Sequence, residues 1–197
     1  MKIILVGGFL GSGKTSIVLQ MARYLTGKAE TAGTKVAIIE NEIGEVGIDD
    51  RVLQGAGFQV RGLFSGCVCC TMSGELVVTL RDIIKNLNPE YLIMEATGVA
   101  YPSNIKEVLE EAFSDLNCKI CCIADAGRWQ RLLIPLQNII RPQLEGADII
   151  LINKIDLVDG AALEAVDASI KNLNPGSACF HVSALKPVDT AIWDMLL

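Results

Sequence analysis

Residues 2–15 read KIILVGGFLGSGKT, in which an apolar run leads into a glycine-rich turn and then into the start of a helical pattern. Gly8 to Thr15 fit the pattern G-x-x-x-x-G-K-[ST] at every defined position, and a preceding strand and a following helix are the context this pattern requires. The glycines let backbone amides converge on phosphate groups, and the helix N-terminus adds its dipole. The stretch therefore predicts a phosphate-binding loop between a strand and a helix of an α/β fold.

The side chains of this loop are candidates for chemistry as well as for binding. Lys14 supplies a positive charge, and the Thr15 hydroxyl is placed to ligate Mg²⁺. Both are candidate catalytic residues, because charge on the γ-phosphate must be stabilised during phosphoryl transfer. A glycine turn without a ligand is the alternative, but the complete pattern in its correct setting argues against it. The expected phosphate-binding residues are Gly8, Gly11, Ser12, Gly13, Lys14, Thr15 and Ser16.

The rest of the chain alternates short apolar runs with amphipathic segments of helical length, as in βαβ units on a parallel sheet. This pattern predicts a three-layer α/β sandwich with a mostly parallel central sheet, of the P-loop NTPase type. The expected strands are 2–6, 35–39, 91–94, 119–124, 148–152 and 178–182, with 58–64 as a further short candidate. The expected helices are 14–25, one that ends near residue 88, 103–113, 128–140, 161–173 and 190–197.

The composition excludes several classes of function. The chain has 197 residues, of which 51% are apolar, and this suits a single domain with a sizeable core. Its formal net charge of -6 gives no general attraction to nucleic acid or to anionic lipid. No apolar run approaches the roughly 20 residues of a membrane-spanning helix, and no secretory signal follows Met1. We therefore expect a cytoplasmic protein that binds neither nucleic acid nor membranes.

A second polar motif follows the apolar run 148–152 and resembles the N-K-x-D guanine-recognition motif of GTPases. Its residues are Asn153, Lys154 and Asp156. The Asp156 carboxylate can accept two hydrogen bonds from guanine that adenine cannot offer, and Asn153 would either bond the base edge or tie loops together. The Lys154 stem would cover the ring face. Ser183, Ala184 and Leu185 resemble the loop that completes guanine recognition in GTPases. The expected base is guanine.

The apolar run 91–94 ends in Glu95, followed three residues later by Gly98. In P-loop NTPases a carboxylate at this point holds Mg²⁺, here through a water molecule, and the glycine gives an amide to the γ-phosphate. If this contact forms with GTP and is lost with GDP, the segment after Thr97 acts as a switch. A carboxylate paired with a nearby cation is the alternative for Glu95.

An acidic loop follows the second expected strand. Five of the eleven residues from Glu40 to Asp50 are acidic, and near a nucleotide they would repel phosphate unless cations intervene. We expect Mg²⁺ here and a second divalent metal, and Glu42 or Asp49 is a candidate to orient the hydrolytic water. A solvated acidic loop is the alternative.

Three of the seven cysteines stand together as Cys67, Cys69 and Cys70. Clustered thiols in a reducing compartment are typical of metal-binding or redox sites, and thiolates near a helix N-terminus are good metal ligands. A metal ion with only two or three cysteine ligands keeps open positions for an exchangeable ligand. Such a site suits metal transfer better than a closed four-cysteine structural site does. A buried cysteine cluster is the alternative. Cys121 and Cys122 lie in an apolar run and are interpreted as small core residues.

Together, in this order, the motifs resemble the CobW-like metallochaperone branch of the metal-handling, SIMIBI-class P-loop GTPases. The resemblance implies a GTPase that binds GTP, GDP and Mg²⁺. We expect slow hydrolysis and a nucleotide- or metal-dependent homodimer. The resemblance also implies Zn²⁺, Co²⁺ or Ni²⁺ at Cys67, Cys69 and Cys70, with Glu40 and Glu45 as possible oxygen ligands. GTP hydrolysis would then be coupled to metal delivery to a metalloenzyme, or to cofactor assembly. We expect residues 1–197 to be a single GTPase domain without the C-terminal domain of typical CobW-like proteins.

Two other functions are compatible with the phosphate loop. A small-molecule kinase would prefer ATP, which the Asn153 to Asp156 motif argues against. A nucleotide-regulated scaffold or reactivase for a corrinoid or other metalloenzyme would use the cysteines to hold structural zinc. Such a scaffold would show negligible turnover without its partner.

Overall fold

The computed structural model describes residues 1–27, 36–40, 59–62, 73–113 and 115–197. Across these ranges seven strands form one sheet in the order β3-β2-β4-β1-β5-β6-β7, and every pairing is parallel. The strands are β1 Lys2–Gly7, β2 Val36–Glu40, β3 Gln59–Gly62, β4 Tyr91–Glu95, β5 Asn117–Asp125, β6 Ile149–Asn153 and β7 Ala178–His181. The predicted strands are thus confirmed, including the short one within 58–64.

The described part of the chain contains six α-helices, which connect the strands or follow the last of them. They are α1 Lys14–Gly27, α2 Ser73–Leu87, α3 Pro102–Ala112, α4 Trp129–Leu144, α5 Gly160–Leu173 and α6 Thr190–Met195, and a 3₁₀ turn spans Ile155–Leu157. Alternate residues of β1 point into different cores, because successive side chains of a strand face opposite sides of the sheet. Ile3 and Leu5 pack in one cluster, and Ile4 and Val6 in the other. The predicted three-layer α/β fold is confirmed.

The strand register brings the polar strand ends to one edge of the sheet. Val6 pairs with Glu95, and Asp125 pairs with Asn153. The phosphate loop begins directly after β1, so it lies at the same edge as these three polar residues. Open parallel sheets bind their ligands at this edge.

Helix α4 extends four residues beyond its predicted end at residue 140. It contains Pro135 and Pro142, and Leu136 has non-helical dihedral angles (φ −121°, ψ 20°). Proline lacks the N–H that would continue the hydrogen-bond ladder, so the helix kinks instead of ending there. The sequence pattern predicted neither the kink nor residues 141–144 of the helix.

None of the helices within the described residues has the length and apolar character needed to cross a membrane.

Candidate nucleotide-binding site

The loop between β1 and α1 has the backbone shape of a phosphate cradle. Gly8, Gly11 and Gly13 all have positive φ angles, of 133°, 71° and 98°. At Gly13 the neighbourhood adds a second constraint, because a Cβ atom there would collide with the side-chain amide of Asn153. A side chain at Gly13 is therefore excluded by both conformation and space.

Two polar side chains inside the loop are buried. The Ser12 side chain is 1% exposed, and its Oγ has no hydrogen-bond partner among the described residues. Lys14 is 7% exposed, and its Nζ donates to the Phe9 carbonyl at 3.5 Å, a long hydrogen bond. A buried hydroxyl without a partner is uncommon in folded proteins, and a phosphate oxygen in the loop would satisfy it. The loop thus fits an anionic ligand.

The residues predicted to hold Mg²⁺ lie side by side. Thr15, in the first turn of α1, donates from Oγ1 to Glu95 Oε1 at 3.3 Å, and Glu95 is the last residue of β4. Hydroxyl and carboxylate oxygens are donors that Mg²⁺ accepts in nucleotide sites, usually together with water. The donor set therefore fits the cation.

Gly98 lies against the phosphate loop. A Cβ atom at Gly98 would be 2.7 Å from the backbone nitrogen of Leu10, so only glycine permits this approach. The Gly98 carbonyl accepts a hydrogen bond of 2.5 Å from Nε2 of Gln143, a residue near the C-terminus of α4. Gly98, three residues after the end of β4, is thus held in contact with the phosphate loop.

Asn153 connects the phosphate loop to the second polar motif. Its Nδ2 donates to the Ser12 carbonyl at 2.8 Å, and its Oδ1 accepts from the Ala184 amide at 2.9 Å. Both ends of the amide are therefore occupied inside the protein, and Asn153 is 1% exposed. Of the two alternatives drawn from the sequence, this arrangement is the one that ties loops together.

The residues predicted to read the base form a second group beside the loop. The exposed Asp156 accepts a hydrogen bond on Oδ1 from the hydroxyl of Ser183, which is 8% exposed. Gln20 of α1 fastens the following loop, because its Nε2 donates to the Ala184 carbonyl at 2.9 Å and its Oε1 accepts from the Val188 amide at 2.9 Å. Leu185 is 85% exposed and stands outside this network.

A charged cluster supports the outer side of the phosphate loop. Lys154 Nζ donates to the Gly11 carbonyl at 2.6 Å and to Asp125 Oδ2 at 2.8 Å. Arg128 donates from Nε to Asp125 Oδ2 at 2.7 Å and from Nη2 to the Leu10 carbonyl at 2.7 Å. Burial raises the pKa of the Asp125 carboxyl, but the hydrogen bonds from Lys154 and Arg128 outweigh it and hold the pKa below its ordinary value. The pair of cations is thus anchored by a carboxylate that stays ionised.

Four of these supporting residues were not predicted from the sequence. Asp125 offered the best signal, since it ends an apolar strand at the edge where such sheets bind ligands. Arg128 follows it by three residues, but nothing local indicates that it reaches Leu10. Gln20 and Gln143 lie within helical patterns and have no sequence signal at all.

Most of the predicted transition-metal ligands, namely Glu45, Cys67, Cys69 and Cys70, lie outside the described residues. Glu42 and Asp49, the candidates to orient the hydrolytic water, lie outside them as well. The backbone of Glu40 ends β2 and pairs with Glu95 of β4. Within the ranges that the structure describes, no group of three or more His, Cys, Asp and Glu side chains is placed to hold a metal ion.

Curated proteins with similar sequences are zinc chaperones. The zinc chaperone YjiA of Escherichia coli (strain K12) is 32% identical over 193 residues, which cover 92% of this chain and 57% of YjiA. The zinc chaperone YeiR of the same strain is 33% identical over 160 residues, covering 77% of this chain and 46% of YeiR. This chain therefore spans about half the length of these curated relatives.

Solved structures extend the similarity to the fold. The crystal structure of Zn(II)-bound YjiA GTPase from E. coli has a TM-score of 0.68 and 26% identity, covering 98% of this chain and 60% of that one. The hydrogenase maturation factor HypB from Archaeoglobus fulgidus has a TM-score of 0.70 at 15% identity, covering 100% of this chain and 88% of that one, and so shares the fold. A family model described as CobW/HypB/UreG, nucleotide-binding domain matches residues 2–181. The chain therefore belongs to the CobW/HypB/UreG family of P-loop GTPases, and these residues are a nucleotide-binding domain of that family.

Proposed function

We propose that this domain binds GTP with Mg²⁺, hydrolyses it slowly to GDP and phosphate, and couples the nucleotide state to the delivery of a transition metal. The observation that carries the proposal is the double hydrogen bond of Asn153, which joins the phosphate loop at Ser12 to the base-reading loop at Ala184. One buried side chain thus links the loop that would hold the phosphates to the loop that would read the base.

Guanine is favoured by the position of Asp156. Ser183 donates to one of its oxygens and leaves the rest of the exposed carboxylate available to accept from the ring N–H and the exocyclic amine of guanine. Adenine presents no such pair of donors, so ATP would leave the carboxylate without these bonds. Lys154 donates to the Gly11 carbonyl, and with its head held there its stem would cover the face of the base.

Hydrolysis would use groups of the phosphate loop and its neighbours. Lys14 and the loop amides would stabilise charge on the γ-phosphate, and the Gly98 amide would contact it. Thr15 and, through water, Glu95 would hold Mg²⁺, which when bound supplies Lewis-acid stabilisation of that charge. We assign orientation of the hydrolytic water to Glu42 or Asp49.

The metal would be Zn²⁺, with Co²⁺ or Ni²⁺ as alternatives. Two relatives are described as zinc chaperones, and a solved relative is Zn(II)-bound. We assign the metal to Cys67, Cys69 and Cys70, with Glu40 and Glu45 as possible oxygen ligands, because soft thiolates prefer zinc and its neighbours. GTP would bring the acidic loop and the cysteine turn together, most simply at a homodimer interface. Hydrolysis would loosen them and release the metal to a metalloenzyme or cofactor-assembly client in the cytoplasm.

The coupling is tested by titrating Zn²⁺ into the 197-residue chain in the presence of a non-hydrolysable GTP analogue or of GDP. We expect tighter zinc binding with the GTP analogue and, by reciprocity, tighter binding of the analogue with zinc. A triple Cys→Ser variant at positions 67, 69 and 70 should lose the site, whereas Cys179→Ser, which lies on β7, should keep it. Equal zinc affinity in both nucleotide states would refute the coupling. A zinc ion that resists chelators, with no turnover, would favour the scaffold function instead.

A further inference from the structure

Two residues at opposite ends of α4 hold the contact between Gly98 and Leu10. Arg128, the residue before α4, donates from Nη2 to the Leu10 carbonyl at 2.7 Å. Gln143, near the end of the same helix, donates from Nε2 to the Gly98 carbonyl at 2.5 Å. Gly98 and Leu10 approach closely enough to exclude a Cβ atom. Arg128 thus holds the Leu10 carbonyl of the phosphate loop, and Gln143 holds the Gly98 carbonyl of the segment after β4.

Gln143 is a polar residue at a buried position of α4. It is 2% exposed and lies between the buried apolar residues Ile140 and Leu144 of the same helix. Its backbone carbonyl accepts from the thiol of Cys122 in β5, so its main chain is held against the sheet. Burying a side-chain amide is unfavourable unless the amide is hydrogen-bonded, and the bond to Gly98 supplies that partner.

The two anchors belong to different halves of α4. The non-helical dihedral angles of Leu136 divide the helix, with Arg128 directly before its first half and Gln143 in its second half.

We propose that Gln143 is a positioning residue that holds Gly98 against the phosphate loop, so that its hydrogen bond favours binding of a nucleoside triphosphate over a diphosphate. The inference rests on the proposed function, in which the Gly98 amide contacts the γ-phosphate. Only the triphosphate carries that group, so the placement of Gly98 contributes to binding GTP and not to binding GDP. Gln143 touches no nucleotide atom and acts through the Gly98 peptide.

The test compares two substitutions that keep the size of the side chain. Gln143→Met removes the donor, and Gln143→Glu replaces it with a carboxylate that repels the Gly98 carbonyl when ionised and donates when protonated. Binding of a non-hydrolysable GTP analogue and of GDP, both with Mg²⁺, is measured by calorimetry on the full chain. We expect each variant to bind the analogue about tenfold more weakly at pH 8, which is the effect of one buried acceptor left without its donor, and to bind GDP within about twofold of wild type.

The pH profile distinguishes positioning from simple damage to the core. Lowering the pH to about 6 should restore part of the analogue affinity of Gln143→Glu, because burial raises the pKa of a carboxyl group. Gln143→Met should show no such recovery. Gln137→Glu, an exposed position on the same helix, should bind both nucleotides as wild type does.

Equal weakening of both nucleotides, or unchanged binding of both, would overturn the assignment of Gln143 while leaving the proposed function intact. A wild-type chain that binds neither nucleotide would overturn the proposed function itself, and that result is seen before any variant is made.

Discussion

At the scale of single residues, Asn153 illustrates how one amide assembles the site. It is 1% exposed and satisfies both the Ser12 carbonyl and the Ala184 amide. Asn153→Ala would leave these two backbone groups without their partners in a buried setting. We expect the free energy of unfolding, measured in urea, to fall by about 1–3 kcal/mol. Asn138→Ala, an exposed position on α4, should change it by less than about 0.5 kcal/mol. Similar losses in the two variants would contradict this account of Asn153.

The choice of base is also a property of one side chain. Asp156→Asn replaces a carboxylate oxygen with an N–H donor, which matches the C2 carbonyl of xanthine instead of the amine of guanine. We expect GDP affinity to drop by at least about tenfold and XDP affinity to rise, measured by competition against a fluorescent nucleotide. Asp159→Asn is the matched control, since Asp159 caps α5 and asparagine caps equally well. Unchanged preference for GDP in Asp156→Asn would remove the guanine assignment.

Asp125 gives the site a defined dependence on pH. Because the folded-state pKa of Asp125 lies below its ordinary value, its contribution to stability is present above about pH 4 and is lost as the pH falls through the folded pKa. We expect Asp125→Asn to lower the free energy of unfolding by about 1–3 kcal/mol at pH 7. The gap between wild type and variant should shrink as urea titrations are repeated down to pH 3. A gap that stays constant over this range would show that the ion pairs with Lys154 and Arg128 contribute nothing.

At the scale of elements, β5 shows cysteines used as core residues. Cys121 and Cys122 are fully buried, as the apolar run predicted. Burial raises the pKa of Cys121 to about 12, raises the pKa of Cys118 to about 12 despite the opposing effect of Lys106, and raises the pKa of Cys122 as well. All three thiols therefore stay protonated far above pH 8 in the folded chain.

This predicts a simple pattern of thiol reactivity. In a variant with serine at 67, 69 and 70, four cysteines remain, at positions 118, 121, 122 and 179. We expect at most one of them, the half-buried Cys179, to react promptly with Ellman's reagent at pH 8, and all four to react in strong denaturant. Absorbance at the end of each reaction gives the count. Two or more fast thiols in the folded chain would show that β5 opens readily.

The same element scale shows what the sequence could and could not predict. Strands and helices were recognised because a parallel strand buried on both faces is a continuous apolar run, and an amphipathic helix has its own period. The phosphate and base motifs were recognised because their chemistry is local. The contacts of Gln20, Arg128 and Gln143 join residues that are more than 40 positions apart, so no local pattern encodes them. The functional assignments of the acidic loop and of the cysteine turn stay predictions.

At the scale of the whole molecule, the nucleotide site lies at the carboxyl ends of the central strands, between the hydrophobic cores on the two faces of the sheet. The phosphate loop joins β1, which packs into both cores, to α1, and Asn153 ends β6. A ligand bound here contacts elements on which the whole sheet depends, so it should stabilise the domain as one cooperative unit. Both the chain and the nucleotide are negatively charged, the chain by -6, so this stabilisation should need Mg²⁺.

The expected gain in stability on nucleotide binding follows from mass action. GDP at about 100 times its Kd should add about 2.7 kcal/mol to the free energy of unfolding, which for a domain of this size raises Tm by about 5–11 °C. Chelating Mg²⁺, or replacing GDP with ADP at the same concentration, should remove most of the rise. Lys14→Ala should abolish it, because Lys14 is the buried cation of the phosphate loop, whereas the exposed Lys85→Ala on α2 should keep it. Differential scanning calorimetry measures each Tm. An undiminished rise in Lys14→Ala would place the stabilising nucleotide somewhere other than this loop.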